Sequence, residues 1–309
     1  MLVHIDDVAT AEREFGHIHA QRQLLGAAAG CREIGLSRWR IGPGKVPAPM
    51  HVHGDEEEIF FVLSGRGHVL HGRRAFPIEA GDALVFLAGE RPHTVMGAGD
   101  GFLEVLAFGS GSSSRLTWLP RSNTMWAGPR WLPLDVDHPF QAEAALGPIA
   151  LPDPVDPAEE RPSWLVALTD VEGMPRKRGA TDLTRTDLGR AGGSRISGLA
   201  HIVIAPGAEG SPPHCHSAEE ELFYVLDGDG ELRLGEQAFP VRAGSVVARP
   251  PGTGVAHGFR AGDGGLTLLA YGQRKPEDAA FYPRSNKVAM RGLGIRFRVE
   301  PLDYWDGEA

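Results

Sequence analysis

The sequence predicts an all-β protein made of two similar domains, each a sandwich or barrel of short strands. Two observations indicate this fold class. First, the 309 residues include 41 glycines and 24 prolines, and short apolar segments such as EIFFVLSG and LTLLAYG are separated by glycine-rich turns. Second, the string PRSN occurs at 120–123 and again at 283–286, an offset of 163 residues.

The offset of 163 residues extends over most of the chain and indicates a duplicated domain. Residues that recur at this offset are Leu2 and Leu165, Ile41 and Ile204, His51 and His214, Glu58 and Glu221, Gly65 and Gly228, Phe76 and Phe239, and Gly109 and Gly272. We therefore divide the chain into a first domain at 1–128, a linker at 129–162 and a second domain at 163–309. A duplicated surface can pack on itself across a pseudo-twofold axis, so we expect an intramolecular pseudo-dimer.

The linker and the helices complete the predicted organisation. The linker is rich in proline, which lacks a backbone donor, so we expect an extended connector over the surface. Only two weak helices are predicted, in VATAEREFG at 8–16 and in PEDAAF at 276–281. Whether the whole chain forms a homo-oligomer stays open.

Composition excludes several classes of function. The net charge of −9 disfavours binding to nucleic acid phosphates. No apolar run approaches the ~20 residues that span a bilayer, and the N-terminus does not resemble a signal peptide. With only two cysteines, Cys31 and Cys215, a disulfide framework is not expected, and we predict a cytoplasmic protein that acts on a small molecule.

Two histidine-rich motifs predict metal sites, HVHGDEEE in the first domain and HCHSAEEE in the second. His51 and His53 stand two apart in a predicted strand, so both side chains lie on one face. The complete predicted ligand sets are His51, His53, Glu58 and His93, and His214, His216, Glu221 and His257. Three imidazoles and a carboxylate suit a divalent transition metal, and we favour Fe(II) or Mn(II) over Ni, Zn or Cu.

Neighbouring residues leave alternatives to these ligand sets. Glu57 and Glu220 stand next to the chosen carboxylates, but the matched spacing to Gly65 and Gly228 favours Glu58 and Glu221. Another HxH pair, His17 and His19, has no carboxylate at the matching distance. We place that pair on the surface, in a helix or a loop.

The repeated motif HxH-x4-E-x6-G, followed by a glycine-bounded turn and a third histidine, resembles the two signature motifs of the cupin superfamily. The closing PLDYWDGE and the PRSN strings look like an uncharacterised family of bacterial two-domain cupins, or bicupins. The resemblance covers both repeats. It implies two double-stranded β-helix barrels of the jelly-roll type, each with a metal in its mouth.

The ligand sets and the resemblance favour a metal-dependent enzyme, and our first hypothesis is an oxygenase or dioxygenase. Glu58 and Glu221 could leave the metal and act as bases. The alternatives are a non-redox isomerase, lyase or decarboxylase that uses the metal as a Lewis acid, and a metal-dependent binding protein that does no chemistry.

Residues of the predicted barrel interiors complete the candidate site. The offset places His71 where the second domain has Leu234, so His71 is either a proton shuttle or a buried histidine with a backbone partner. Because of this histidine we expect the first domain to be the active one. Trp39, Phe60, Ile202 and Phe223 are predicted to line the interiors. Arg121 and Arg284 suit structural salt bridges better than carboxylate clamps.

Overall fold

In the computed structural model, which describes residues 1–111, 116–128, 130–132, 138–158 and 160–308, antiparallel strands dominate and the helices are short. The strands up to residue 132 are β1 (Leu2–His4), β2 (Thr10–Phe15), β3 (Ile18–Gln23), β4 (Gly35–Ile41), β5 (Val52–His53), β6 (Glu58–Ser64), β7 (Arg66–His71), β8 (Arg74–Glu79), β9 (Asp82–Phe86), β10 (His93–Ala98), β11 (Leu103–Gly109), β12 (Leu116–Leu119), β13 (Thr124–Ala127) and β14 (Arg130–Leu132).

The second half of the chain repeats this order. Its strands are β15 (Leu165–Ala167), β16 (Met174–Arg178), β17 (Thr181–Asp187), β18 (Ser197–Ile204), β19 (Cys215–His216), β20 (Glu221–Leu234), β21 (Gln237–Arg242), β22 (Ser245–Arg249), β23 (His257–Gln273), β24 (Ala279–Tyr282), β25 (Lys287–Met290) and β26 (Ile295–Arg298). The helices are α1 (Leu25–Ala29), α2 (Pro139–Ala145) and α3 (Leu188–Ala191). No helix in the described part of the chain is long and apolar enough to cross a membrane.

The strands form two barrels, and the predicted all-β architecture is confirmed. The first barrel combines a sheet in the order β15-β9-β6-β11-β4-β3-β2 with a smaller sheet, β10-β7-β8. The second barrel has the order β1-β22-β20-β23-β18-β17-β16, with β21 paired to β20. In the second barrel, β20 and β23 continue where the first barrel has the separate strands β6, β7, β10 and β11.

The two barrels exchange their first strands. β1 pairs with β22 of the second barrel, with Leu2 opposite Val247. Reciprocally, β15 pairs with β9 of the first barrel, with Leu165 opposite Leu84. The division at 1–128, 129–162 and 163–309 stays a proposal, because the sheets do not follow these boundaries at their edges.

One hydrophobic core is shared between the barrels, so the predicted pseudo-dimer packs on itself within one chain. This core combines Leu36, Phe61 and Phe108 of the first barrel with residues such as Leu199 and Tyr271 of the second. The rings of Phe108 and Tyr271, which are 163 residues apart, lie 5.0 Å from each other. Each barrel also has an interior core of its own.

The weak helices predicted from sequence are strands in the structure. Residues 10–15 form β2, which pairs along its length with β3, and most of PEDAAF leads into β24 through a turn. Cross-strand pairing therefore overrides the helical propensity of these alanine- and glutamate-containing segments. In the described part of the linker, β14 and α2 replace a uniformly extended connector; residues 129, 133–137 and 159 lie outside the described residues.

Both PRSN strings form tight turns held by an arginine, as predicted. Asn123 and Asn286 have φ of 52° and 45°, a left-handed conformation that asparagine tolerates better than most residues. Arg284 pairs with both oxygens of Glu209, at 2.5 and 3.0 Å, and so fastens the turn to the second barrel. Arg121 instead approaches Glu143 of α2 at 3.7 Å, so the first turn fastens the linker helix.

Candidate metal centres and cavities

Four predicted ligands converge in the first barrel. His51 precedes β5, His53 ends it, Glu58 begins β6 and His93 begins β10. The Nε2 atoms of His51, His53 and His93 lie 3.3, 3.2 and 3.1 Å from one oxygen of Glu58. Antiparallel bridging of His51 to His93 brings together residues 42 positions apart in sequence.

Backbone carbonyls orient two of these imidazoles. Nδ1 of His51 lies 2.8 Å from the Pro49 carbonyl, and Nδ1 of His93 lies 3.4 Å from the Arg91 carbonyl. A carbonyl oxygen can only accept, so each Nδ1 carries the proton and each Nε2 keeps a lone pair for a metal. Nδ1 of His53 lies 3.2 Å from the hydroxyl of Thr117.

The electrostatics of the first cluster favour a bound cation. Burial would raise the pKa of Glu58, but the facing imidazoles, His53 above all, hold it well below its ordinary value. Burial opposes protonation of His53, yet the Glu58 carboxylate raises its pKa to about 9. Burial lowers the pKa of His93 to about 4. The cluster thus attracts one positive charge, which is a proton when no metal is bound.

The second barrel repeats the cluster with one added carboxylate. The Nε2 atoms of His214, His216 and His257 lie 3.9, 3.3 and 2.9 Å from one oxygen of Glu221. Nδ1 of His216 donates to Asp278 at 2.7 Å. Burial opposes protonation of His216, but Asp278 and Glu221 together raise its pKa to about 10.

Both clusters leave buried polar atoms without hydrogen bonds within the protein. These atoms are His53 Nε2, His216 Nε2, His257 Nε2 and one oxygen of Glu221. A buried polar atom with no partner costs stability, so these residues fit a divalent metal that four protein ligands would hold. The eight ligand assignments remain a proposal.

A third acidic group, His216, Glu219 and Asp278, meets the distance requirement for a metal. Its carboxylates are already engaged: Asp278 accepts from the amides of Ala218 and Glu219, and Glu219 pairs with Arg291. Asp278 therefore orients His216, as carboxylates do beside metal-ligating histidines.

The cavities beside the two clusters differ in size. The first has a volume of about 490 Å³ and is lined by His51, His53 and Glu58 together with the predicted Trp39 and Phe60. The second has about 120 Å³ and is lined by His214, Glu221 and the predicted Ile202 and Phe223. The structure therefore places all four predicted lining residues beside the clusters.

An arginine in each cavity was missed by the sequence analysis. Arg22 lines the first cavity and Arg185 the second. Nε and Nη2 of Arg22 both donate to Ser37 Oγ, at 3.2 and 3.0 Å, and the guanidinium stacks on Trp39 at 4.8 Å. The sequence repeat could have revealed these arginines, because Arg22 and Arg185 are separated by the same offset of 163 residues.

His71 does not lie in the first cavity, so its predicted role as a proton shuttle there has no support in the geometry. The Phe86 ring stacks on His93 at 3.8 Å, and His71 lies behind it, 4.4 Å from Trp164, in a separate cleft. Burial and Arg91 lower the pKa of His71 to about 4. His71 and Leu234 do occupy matching positions, opposite His93 and His257.

The carboxylates next to the ligands hold the barrels together. Glu57 is buried and accepts hydrogen bonds from the amides of Arg195, Ile196 and Ser197. Glu220 mirrors it and accepts from Arg32, Glu33 and Ile34. Strand alternation thus directs one glutamate of each pair into a cavity and its neighbour into the interface.

The remaining HxH pair is a strand feature. His19 lies in β3 and contacts Glu12 at 2.7 Å. His17 lies in the turn before β3, as a loop prediction allows, but it is only 8% exposed, so the predicted surface position is wrong for His17; His19 is half-exposed but lies in a strand. Alternation along β3 buries Ile18 and Ala20 and leaves His19 on the outer face.

Comparisons with known proteins identify relatives. A protein-family model described as "Cupin domain" matches residues 37–109 and 200–270, with one match in each barrel. No curated protein matches the sequence significantly.

Among solved structures, the Lactobacillus farciminis oxalate decarboxylase in complex with formate is similar at 19% identity and a TM-score of 0.61, covering 91% of this chain and 88% of that one. A Bacillus subtilis oxalate decarboxylase structure, described with Mn(II) centres, gives 21% identity and a TM-score of 0.59, covering 88% and 76%. The structure of the same enzyme at pH 4.6 is 20% identical with a TM-score of 0.58, and the match covers 88% of this chain and 75% of that one. At these identities the similarity establishes the fold.

Proposed function

The chain is a two-domain member of the cupin superfamily, and from that premise we propose that it is a metal-dependent decarboxylase of a small carboxylic acid, active in the first barrel. The oxalate decarboxylases among its structural neighbours favour this non-redox alternative over the oxygenase that the sequence analysis put first. We propose Mn(II) as the metal, in line with the Mn(II) centres of one neighbour.

The observation that carries the proposal is the placement of Arg22 in the same cavity as His51, His53 and Glu58. A divalent cation held by neutral imidazoles and Glu58 would keep one net positive charge, and Arg22 adds another. Glu56 contributes a negative charge, 3.6 Å from His53, and the cavity stays positive. An anionic substrate is therefore favoured, and a guanidinium can grip a carboxylate with paired hydrogen bonds.

Each lining residue has a part in this chemistry. His51, His53, Glu58 and His93 would hold the metal, which would act as a Lewis acid towards a substrate oxygen. Arg22, held by Ser37 and Trp39, would orient the carboxylate. Trp39 and Phe60 add apolar surface to the cavity. Glu58, the predicted base, would take a substrate proton and return it to the carbon that loses CO₂.

The test is CO₂ release by Mn-loaded protein from a panel of small mono- and dicarboxylates, with and without O₂. We expect turnover that does not consume O₂ and is lost after chelation. Arg22→Met should raise KM by about 10- to 100-fold through loss of a charged hydrogen bond, and Arg22→Lys should recover part of it.

Arg185→Met is the matched control and should change KM by less than about threefold. If O₂ is consumed in proportion to substrate, the decarboxylase proposal fails and the oxygenase hypothesis is favoured. If Arg22→Met and Arg185→Met change KM equally, the proposal that the first barrel holds the active site fails.

A further inference from the structure

The rim of the first cavity is held by the other barrel. Residues 31–36 line this cavity, and Arg32, Glu33 and Gly35 among them are also exposed to solvent. A segment that both lines a cavity and reaches solvent forms its opening. The path by which a small molecule enters the first cavity therefore passes these residues.

Glu220 is the main tie on this rim. It is fully buried, and its carboxylate accepts from the amides of Arg32, Glu33 and Ile34 at 2.7 to 3.1 Å. Lys275 of the same barrel adds an ion pair to Glu33. Hydrogen bonds to an ionised carboxylate are roughly twice as strong as neutral ones, so Glu220 fixes the backbone of the rim.

The two matching glutamates, Glu57 and Glu220, differ in whether the segment they hold lines a cavity. Glu57 holds 194–197 as Glu220 holds 32–34, but the described residues that line the second cavity include none from 194–197. Among the described residues, the segment held by Glu220 lines the cavity beside a histidine cluster, and the segment held by Glu57 does not. Glu220 directly precedes Glu221, the candidate ligand of the second barrel, so two consecutive residues contact the rim of the first cavity and the second histidine cluster.

We propose that Glu220 is a positioning residue that shapes the entrance of the first cavity from the opposite barrel, so that substrate binding in the first barrel requires the second. This inference rests on the proposed function only in taking the first cavity as the substrate site. It gives the second barrel a role that its smaller cavity does not provide.

The experiment uses Glu220→Gln in the full chain, with Glu57→Gln as the matched control for a weakened interface. Cys31, which lines the cavity at the rim, is alkylated with a small reagent, iodoacetamide, and with a bulky maleimide. Both reagents react with the same thiolate, so its fraction cancels in the ratio of the two rates. The ratio therefore reports how easily a bulky molecule reaches Cys31. We expect the bulky-to-small ratio to rise about tenfold in Glu220→Gln and to stay constant in Glu57→Gln.

Two further measurements complete the test. Amide hydrogen exchange should accelerate at 32–34 in Glu220→Gln and at 194–197 in Glu57→Gln. The Kd of oxalate, used as a probe of the Mn-loaded protein, should rise about tenfold in Glu220→Gln. If Glu220→Gln does not fold, Lys275→Met weakens the same rim from its exposed side and should shift each measurement in the same direction.

The outcomes separate the two proposals. An unchanged alkylation ratio at Cys31 overturns the positioning role, whatever the enzyme does. A looser rim with an unchanged Kd for oxalate also overturns it, because the rim would then not act on binding. If the wild type binds no carboxylate at all, the proposed function fails, and the alkylation ratio alone decides the role of Glu220.

Discussion

The first and second barrels have the same four-residue cluster in different surroundings. The first cavity, at about 490 Å³, has Arg22 clamped between Ser37 and Trp39. The second, at about 120 Å³, has Arg185 beside Ile202. Conversely, the second barrel orients His216 with a carboxylate, Asp278, where the first uses the hydroxyl of Thr117.

This contrast supports the proposal that the two barrels have different roles. Space and a held cation suit the first barrel to substrate, whereas a carboxylate-backed histidine suits the second to tight metal retention. His71, the residue for which the sequence favoured the first barrel, lies outside the first cavity. The cavity and Arg22 supply the reason instead.

The largest expected effect comes from removing one ligand in each barrel. His53→Ala should lower turnover at least about 100-fold, because a metal that loses a ligand is no longer held in place. His216→Ala should retain most activity. Elemental analysis should find two metals per wild-type chain and one in each variant. Loss of activity in His216→Ala with activity kept in His53→Ala would reverse the comparison.

A smaller effect is expected where the histidine supports differ. Asp278→Asn should weaken metal binding at the second site by about 10- to 100-fold, since the carboxylate orients His216 and raises its basicity. Thr117→Val should weaken the first site less, because a hydroxyl is a poorer partner. Competition with a chelator measures both affinities, and an equal loss at the two sites would contradict the comparison.

The pH dependence should also distinguish the sites. In metal-free protein, His53 and His216 have pKa values near 9 and 10, above the ordinary 6.5. Their contributions to stability are complete below pH 6.5 and disappear as the pH rises through about 9 and about 10.

Metal must displace these protons, so affinity should rise about tenfold per pH unit and level off near pH 9 in the first site and near pH 10 in the second. Chelator titrations from pH 6 to 10.5 check this order, and a single common plateau would contradict it.

The smallest effect is expected for His71→Leu, which copies the second barrel at that position. The side chain lies behind Phe86 and outside the first cavity. Turnover should therefore stay within about twofold of wild type. A fall of 10²-fold or more would restore the proton shuttle, and a pH–rate profile that shifts with the substitution would confirm it.

How much could be predicted from the sequence depends on whether a feature repeats. The barrels, their packing and the clusters around Glu58 and Glu221 followed from residues at one offset, because a duplicated fold keeps its ligands in register. Arg22 and Arg185 also repeat, so they could have been found. Asp278 gave no such signal, since the offset places Arg115 opposite it, and that residue lies outside the described part of the chain.

The sequence by itself determined the two candidate ligand sets, because their chemistry resides in residue types and short spacings. The tertiary structure alone decided which barrel has room for substrate, since cavity volume depends on side chains from many strands. It also decided that β1 and β15 change barrels and that Glu57 and Glu220 join the barrels. Those outcomes follow from packing between distant segments, and local sequence patterns do not encode such contacts.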